Sequence, residues 1–297
     1  MNRLQFGVFL QPQYADLKRL RENIHVAEDC GLEMVAIMDH PESPDVLDAL
    51  TVISVLIGET SHIRFVSDVI NIALRPPVML AKAAAGLDML SGGRFVLGLG
   101  AGGNRQATTA LTNQHLEPGQ VFDAFKEALA IIQSTWTARS SLRFQGKYYT
   151  LGDLPSGPVP VHHPGIWFGS RGPRMLSLTG ERADGWISPL AMPFEEKPRA
   201  QVRIDQAARR VGRDPMNIRR VLQLVGRVRD ISFSIQQLRR GPGNQAIDAT
   251  VNEWAQIISE WAQREHFDTF FFYPTQQTPE QIRRFATEVI PAVGERW

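Results

Sequence analysis

The sequence predicts an α/β fold of one kind, a TIM-type (β/α)8 barrel with an insertion between the strand 4 and strand 5 regions. Short apolar, β-branched runs alternate with longer segments of helical spacing, which marks a parallel sheet. Eight such strand-then-helix units are present, the number that closes a barrel. A chain of 297 residues suits one barrel, so 1–297 is read as a single domain with the insertion at about 137–165.

The first four units are regular. Strand 4–10 precedes a helix around 15–30, whose Leu20, Ile24 and Ala27 recur on one face. Strand 34–38 precedes a helix around 45–60, and strand 64–72 a helix around 77–90. Strand 94–99 leads through a glycine-rich turn to a helix around 118–135. Residues 142–150 read as a hairpin turning at Gly146, and Pro155, Pro158, Pro160 and Pro164 keep the following stretch extended. Strands 166–169, 185–188, 219–229 and 268–273 follow, with helices near 173–182, 196–212, 246–264 and 279–290.

Composition narrows the function. Thirty-two Lys and Arg against 31 Asp and Glu leave a formal charge of +1, so no global field recruits nucleic acid or an anionic membrane. One basic stretch stands out, with eleven arginines between Arg199 and Arg240 against three acids. It reads as a solvated helix face or as a local attraction for an anionic tail. The single cysteine, Cys30, makes no internal disulfide and reads as a packing residue. No leader pattern opens the chain and no run of about 18 apolar residues occurs, so a cytoplasmic protein is expected.

In a barrel, chemistry sits where strands end and βα loops begin. Asp39-His40 follows strand 2 and places a group that titrates near neutrality beside any bound ring. Asp68 interrupts an apolar strand, and a buried carboxylate is costly unless paired, so it marks a bulge or a polar pocket. Gly98 to Gly103 satisfies G-x-G-x-x-G, yet three βα units precede it and the next expected helix starts far away, which argues against a dinucleotide fold. Gly169-Ser170-Arg171-Gly172-Pro173 suits a phosphate: a strand end, a short turn, then a proline opening a helix with free N–H groups. No metal-site spacing is present, His162-His163 stands alone, and no lysine or glutamate is placed at a strand end for aldolase or isomerase chemistry.

Taken in order, FGVFLQP, AEDCGLEMVAIMDH, RFVSDVINIALRPPVMLAKAAAGLDMLSGGRFVLGLGAGG, the F-x-G-x-Y-Y hairpin and IWFGSRGPRMLSLTGERADGWI resemble the luciferase-like monooxygenase superfamily. The resemblance implies a TIM barrel whose strand 3 bulge, here Asp68-Val69, backs a flavin or deazaflavin ring. It further implies that Asp39, Ala101, Gly102 and Gly103 border the cofactor, that 169–173 holds its phosphate, and that His40 acts at the reacting carbon. Sugar-phosphate dehydrogenases of the superfamily carry a tryptophan and a glutamate where this chain has Pro44 and Gly103, so that substrate is not expected. The segment GPRMLSLTGERADGW looks like the F420 branch, which implies an F420-dependent hydride transfer to or from a small organic substrate, in a homodimer. An FMN-dependent monooxygenase and a non-catalytic flavin-binding barrel are the alternatives.

Overall fold

The computed structural model describes residues 3–113, 115–137, 141–230 and 246–295. Eight parallel strands form the barrel: β1 Gln5–Leu10, β2 Met34–Met38, β3 Arg64–Asp68, β4 Phe95–Gly100, β5 Ile166–Gly169, β6 Gly185–Ser188, β7 Arg219–Val228 and β8 Thr269–Pro274. Pairing runs in chain order from β1 to β8, and β8 pairs back onto β1 through Phe270 and Phe6, which closes the cylinder.

Both faces of these strands are covered, which is why they read as unbroken apolar runs. Phe9, Ala36, Val66, Val96, Trp167, Ile187, Val221 and Phe271 fill the interior. Their sequence neighbours Val8, Val35, Phe65, Phe95, Phe168, Trp186, Leu222 and Phe270 face the helices instead, as a period of two requires. The helices are α1 Leu17–Asp29, α2 Ala49–Leu56, α3 Pro77–Ser91, α4 Arg105–Thr112, α5 Pro118–Thr137, α6 Pro173–Arg182, α7 Lys197–Arg210, α8 Val251–Glu265, α9 Pro279–Arg284 and α10 Ile290–Gly294. Leu20, Ile24 and Ala27 of α1 are buried as their spacing predicts. Proline opens α3 and left-handed Gly92 ends it, while Thr250 and Glu253 make a capping box at α8.

Three features depart from expectation. Strand 64–72 breaks after Asp68, resumes as Ile70–Asn71 and turns into a 3-10 turn over Ile72–Leu74. The expected helix at 246–264 begins only after a short strand, Ile247–Ala249, that pairs with β7. The loop after β4 holds an unexpected helix, α4, capped by the Asn104 side chain. The hairpin is present and lies apart from the barrel sheet, with Ser141–Gln145 pairing Thr150–Pro155 and the Gly146 N–H bonded to the Tyr149 carbonyl. Half-buried Cys30 packs against the main core. No helix among the described residues is long and apolar enough to cross a membrane.

Candidate active site at the barrel mouth

The carboxyl ends of β2, β3, β4 and β5 bring the predicted residues to one end of the barrel. At β3 the chain bulges at Val69, following an Asp68–Val69 peptide that is cis. The Val69 side chain fills a notch made by missing side chains. A Cβ on Gly100 would lie 2.7 Å from a Val69 methyl group, and one on Gly169 2.9 Å from it. Gly98 and Gly100, two of the three glycines that imitate a dinucleotide fingerprint, thus serve packing around the bulge.

Asp68 is buried, and the Gln223 side-chain amide of β7 donates to its carboxylate. Burial pushes its pKa up to about 7, against the opposing pull of the Gln223 hydrogen bond and the nearby His40 charge. A carboxyl that keeps its proton near neutrality therefore sits at the mouth.

His40 is half-exposed at the end of β2, with Nδ1 2.8 Å from Glu42 Oε1. Burial works against the Glu42 carboxylate, but the hydrogen bonds from the His40 ring and the Glu42 backbone N–H hold its pKa below the ordinary range. A carboxylate at Nδ1 fixes the proton there and leaves Nε2 as the accepting nitrogen of the neutral ring. Asp39 turns the other way. It is buried, takes Arg75 in a two-pronged pair at 2.8 and 2.9 Å, and accepts from the Ala49 and Asn71 N–H groups. Arg75 also bonds Asp48, so Asp39 anchors the loop after β3 and the start of α2.

After β4, Ala101, Gly102 and Gly103 form a surface nearly free of side chains. Gly102 adopts φ +86° and a Cβ there would meet the Asn71 amide at 2.9 Å, whereas Gly103 opens onto free space. After β5, Ser170 is buried, its hydroxyl 2.8 Å from Thr179 Oγ1 and its carbonyl accepting from Trp186 Nε1. Gly172 precedes α6 without a side-chain cap, and Pro173 opens the helix, so its first N–H groups are free for an anion. Arg171 stands beside them, half-exposed and 3.3 Å from Glu196.

Several residues were not singled out from sequence. Gln223 meets Asp68 only because β7 lies across the barrel. Lys197 comes to the end of β6, where its buried ammonium donates to Ser188 Oγ at 2.5 Å and to the Pro189 carbonyl at 3.1 Å. Burial, helped by Arg171 and opposed by Glu196, lowers its pKa to about 8. It stands nine residues beyond its strand, out of reach of the strand-end rule. The basic stretch does not converge. Arg209, Arg210, Arg213, Arg219 and Arg220 lie at the opposite end of the barrel, where Arg210 meets Glu181 and Arg220 meets Asp205. Arg227 and Arg229 reach Asp248 at the mouth, and Arg239 and Arg240 lie outside the described residues. A helix followed by a strand crosses the barrel twice, which separates neighbours in sequence. His162 and His163 likewise pair, with Asp88 and Asp184. No metal-binding cluster of His, Cys, Asp and Glu occurs among the described residues.

A barrel with this bulge and mouth agrees with the family match: the model for luciferase-like monooxygenases covers residues 4–238, and the chain belongs to that family. Its relatives include the 5,10-methylenetetrahydromethanopterin reductase of Methanolobus tindarius, 31% identical over 219 residues, 72% of this chain and 63% of the relative. The phthiodiolone/phenolphthiodiolone dimycocerosates ketoreductase of Mycobacterium bovis is 35% identical over 166 residues, 54% of this chain. The matched stretch spans only 42% of that ketoreductase's length. A Mycobacterium tuberculosis protein provisionally named a coenzyme F420-dependent oxidoreductase is 29% identical over 178 residues, 56% of this chain and 49% of that protein. In fold, the chain matches an F420-dependent secondary alcohol dehydrogenase with a TM-score of 0.84 at 18% identity, over 98% of this chain and 99% of that one. A long-chain alkane monooxygenase matches with 0.81 at 15% identity, over 100% and 92%.

Proposed function

We propose that the chain is an F420-dependent oxidoreductase that moves a hydride between the deazaflavin and a small organic substrate at the barrel mouth. The observation that carries this reading is the meeting of Asp68, His40 and the bare surface of Ala101, Gly102 and Gly103 at one end of the barrel. The first two manage protons and the third admits a flat ring.

The residues present fit such a group. A Cβ at Gly103 would project into open space at the strand end, and the uncapped start of α6 with Arg171 suits a phosphate. The Arg171 pair with Glu196 is exposed, and such pairs contribute at most about 1 kcal/mol, so Arg171 is easily turned to an anion. A bound deazaflavin supplies the hydride, and the protein does the rest by positioning and by proton supply.

Hydride addition to a carbonyl carbon breaks the C=O π bond and places the electron pair on oxygen, which must take a proton. His40 is assigned that proton transfer through Nε2, with Glu42 stabilising the charged ring. Asp68, protonated near neutrality, lies close enough for its state to respond to the His40 charge. In the reverse direction neutral Nε2 accepts the proton from an alcohol. Lys197, near Arg171 and Glu196, adds a donor at the phosphate end. Asp39 serves the site by holding the loop after β3.

F420 is favoured over FMN by the GPRMLSLTGERADGW segment and by the mycobacterial relative of that name. We further take the whole chain as one domain with its insertion at 137–165, and the protein as a cytoplasmic homodimer. Exposed Met89 and Leu90 on α3 support the dimer, which sedimentation tests. The cofactor test is titration of the purified protein with oxidised F420 and separately with FMN, followed by fluorescence and absorbance. Micromolar or tighter F420 binding with weak FMN binding is expected. The reverse preference would transfer the assignment to a monooxygenase, and binding of neither would leave a barrel without turnover.

A further inference from the structure

The packed interior of the barrel ends at the mouth in three partly exposed side chains, Met38 of β2, Val69 at the bulge and Tyr273 of β8. Tyr273 alone of the three carries a strongly polar group. Its ring stands on Phe9 with centroids 4.6 Å apart, and alternation along the strand from buried Phe271 turns it inward. The fourth and eighth strands of a closed eight-stranded barrel face one another, so Tyr273 stands across the mouth from the bare surface after β4. A flat ring lying on that surface leaves its substrate on the Tyr273 side.

Hydrogen bonding orients the hydroxyl. The Gln11 side-chain amide donates through Nε2 to Tyr273 Oη, while Gln11 Oε1 accepts from Gln13 Nε2 at 3.3 Å, which fixes the end of the amide that meets the phenol. The Gln11 backbone N–H is held in turn by Gln277 Oε1 at 3.2 Å. Tyr273 Oη thus receives a hydrogen bond, and among the described residues its own proton meets no acceptor. Burial raises the phenol pKa above its ordinary range, so the proton is retained through neutral pH. Asp68 repeats the arrangement, since there the Gln223 amide donates to an acid. In each pair a glutamine satisfies an oxygen and leaves an O–H to be given elsewhere.

We propose that Tyr273 is a further catalytic residue, its O–H hydrogen-bonding the substrate oxygen on which negative charge develops during hydride transfer, with Gln11 as its positioning residue. The proposal rests on the hydride-transfer reading. When hydride from the reduced deazaflavin adds to a carbonyl carbon, the C=O π pair moves onto oxygen. Tyr273 keeps its proton and stabilises that charge, and His40 delivers the proton that completes the alcohol. A fixed neutral donor gains strength as the charge grows, so it lowers the transition state more than it tightens substrate binding.

Two measurements test this, both on the full-length protein with cyclohexanone as a neutral carbonyl probe. With 3-fluorotyrosine at all four tyrosines, the fluorine resonance lost in Tyr273→Phe reports this ring, and cyclohexanone should shift it without any cofactor present. With reduced F420, Tyr273→Phe should lower kcat about 100-fold while KM and F420 affinity stay within about twofold, because phenylalanine keeps the ring contacts and removes only the donor. Gln11→Leu should lower kcat about tenfold, the scale of one lost hydrogen bond, without changing the shape of its pH profile. A resonance indifferent to cyclohexanone, or a Tyr273→Phe variant with unchanged kcat, would overturn the proposal. Loss of F420 affinity in step with kcat would do the same, by making Tyr273 a structural contact. In protein that binds F420, a shifted resonance without turnover would reduce Tyr273 to a binding group and remove its catalytic role. Failure of F420 to bind while cyclohexanone still shifts the resonance would sink the cofactor assignment alone.

Discussion

Replacing Asp68 by Asn isolates one proton in the folded protein. The carboxyl is buried beside the Gln223 amide, and burial lifts its pKa from 3.8 to about 7. In the unfolded chain the group ionises near its ordinary value, so between these pH values the native state holds a proton that the unfolded state has released. With more protons bound in the native state, the unfolding free energy falls as pH rises. This contribution is greatest below the ordinary carboxylate pKa, is lost progressively up to about pH 7, and is flat above. At 1.36 kcal/mol per tenfold step the whole window amounts to about 4 kcal/mol, of which about 2–3 kcal/mol falls between pH 5 and pH 8. Asparagine keeps an oxygen to accept from Gln223 and does not titrate. Urea unfolding of both proteins, followed by tryptophan fluorescence, should therefore show the variant gaining about 2–3 kcal/mol relative to the wild type over that range. Other titrating groups cancel in the difference. A flat difference would mean that Asp68 is ionised throughout, and the mouth would then hold no neutral acid.

His40→Ala should abolish turnover and leave cofactor affinity within a factor of about two, since the ring is assigned to proton transfer rather than binding; unchanged turnover removes it from the mechanism. Gly100→Ala drives a methyl group into Val69 and should destabilise by about 1–3 kcal/mol in thermal unfolding. Adding Val69→Ala should recover part of that loss, and an additive double variant would contradict the packing argument. Arg171→Ala should weaken F420 binding about tenfold and flatten its salt dependence, measured by fluorescence titration. Asp39→Asn leaves Arg75 with Asp48 as its remaining carboxylate, and a cost of about 3 kcal/mol is expected in chemical denaturation.

Local order in this fold is legible because both strand faces are buried and each helix shows one apolar stripe, so eight strands and their helices stand out by periodicity alone. Residue 68 illustrates the best case: a carboxylate inside an apolar strand is expensive, and that expense marks a bulge or a polar pocket before any coordinates exist. Its partner Gln223 has no such mark. A glutamine in a strand has many harmless uses, and only barrel closure sets it opposite Asp68. α4 was hidden because its eight residues are no more apolar than a loop, and its start depends on the Asn104 cap.

The arginine-rich stretch shows how a real pattern misleads. Eleven basic residues close in sequence suggest one electrostatic surface, yet α7 runs away from the mouth and β7 returns to it, carrying the charges to both ends. Most of those at the far end are taken up by Asp205, Glu181 and backbone carbonyls. Charge at the mouth is instead individually placed, in Arg171, Lys197, the Arg75 pair and the Arg227 and Arg229 contacts to Asp248. A site built this way suits a ligand with one anionic group on a flat apolar ring, because the Arg171 pair with Glu196 is exposed and exchangeable while Arg75 is held by two carboxylates. That distribution, rather than net charge, supports the flavin-type cofactor proposed for the mouth.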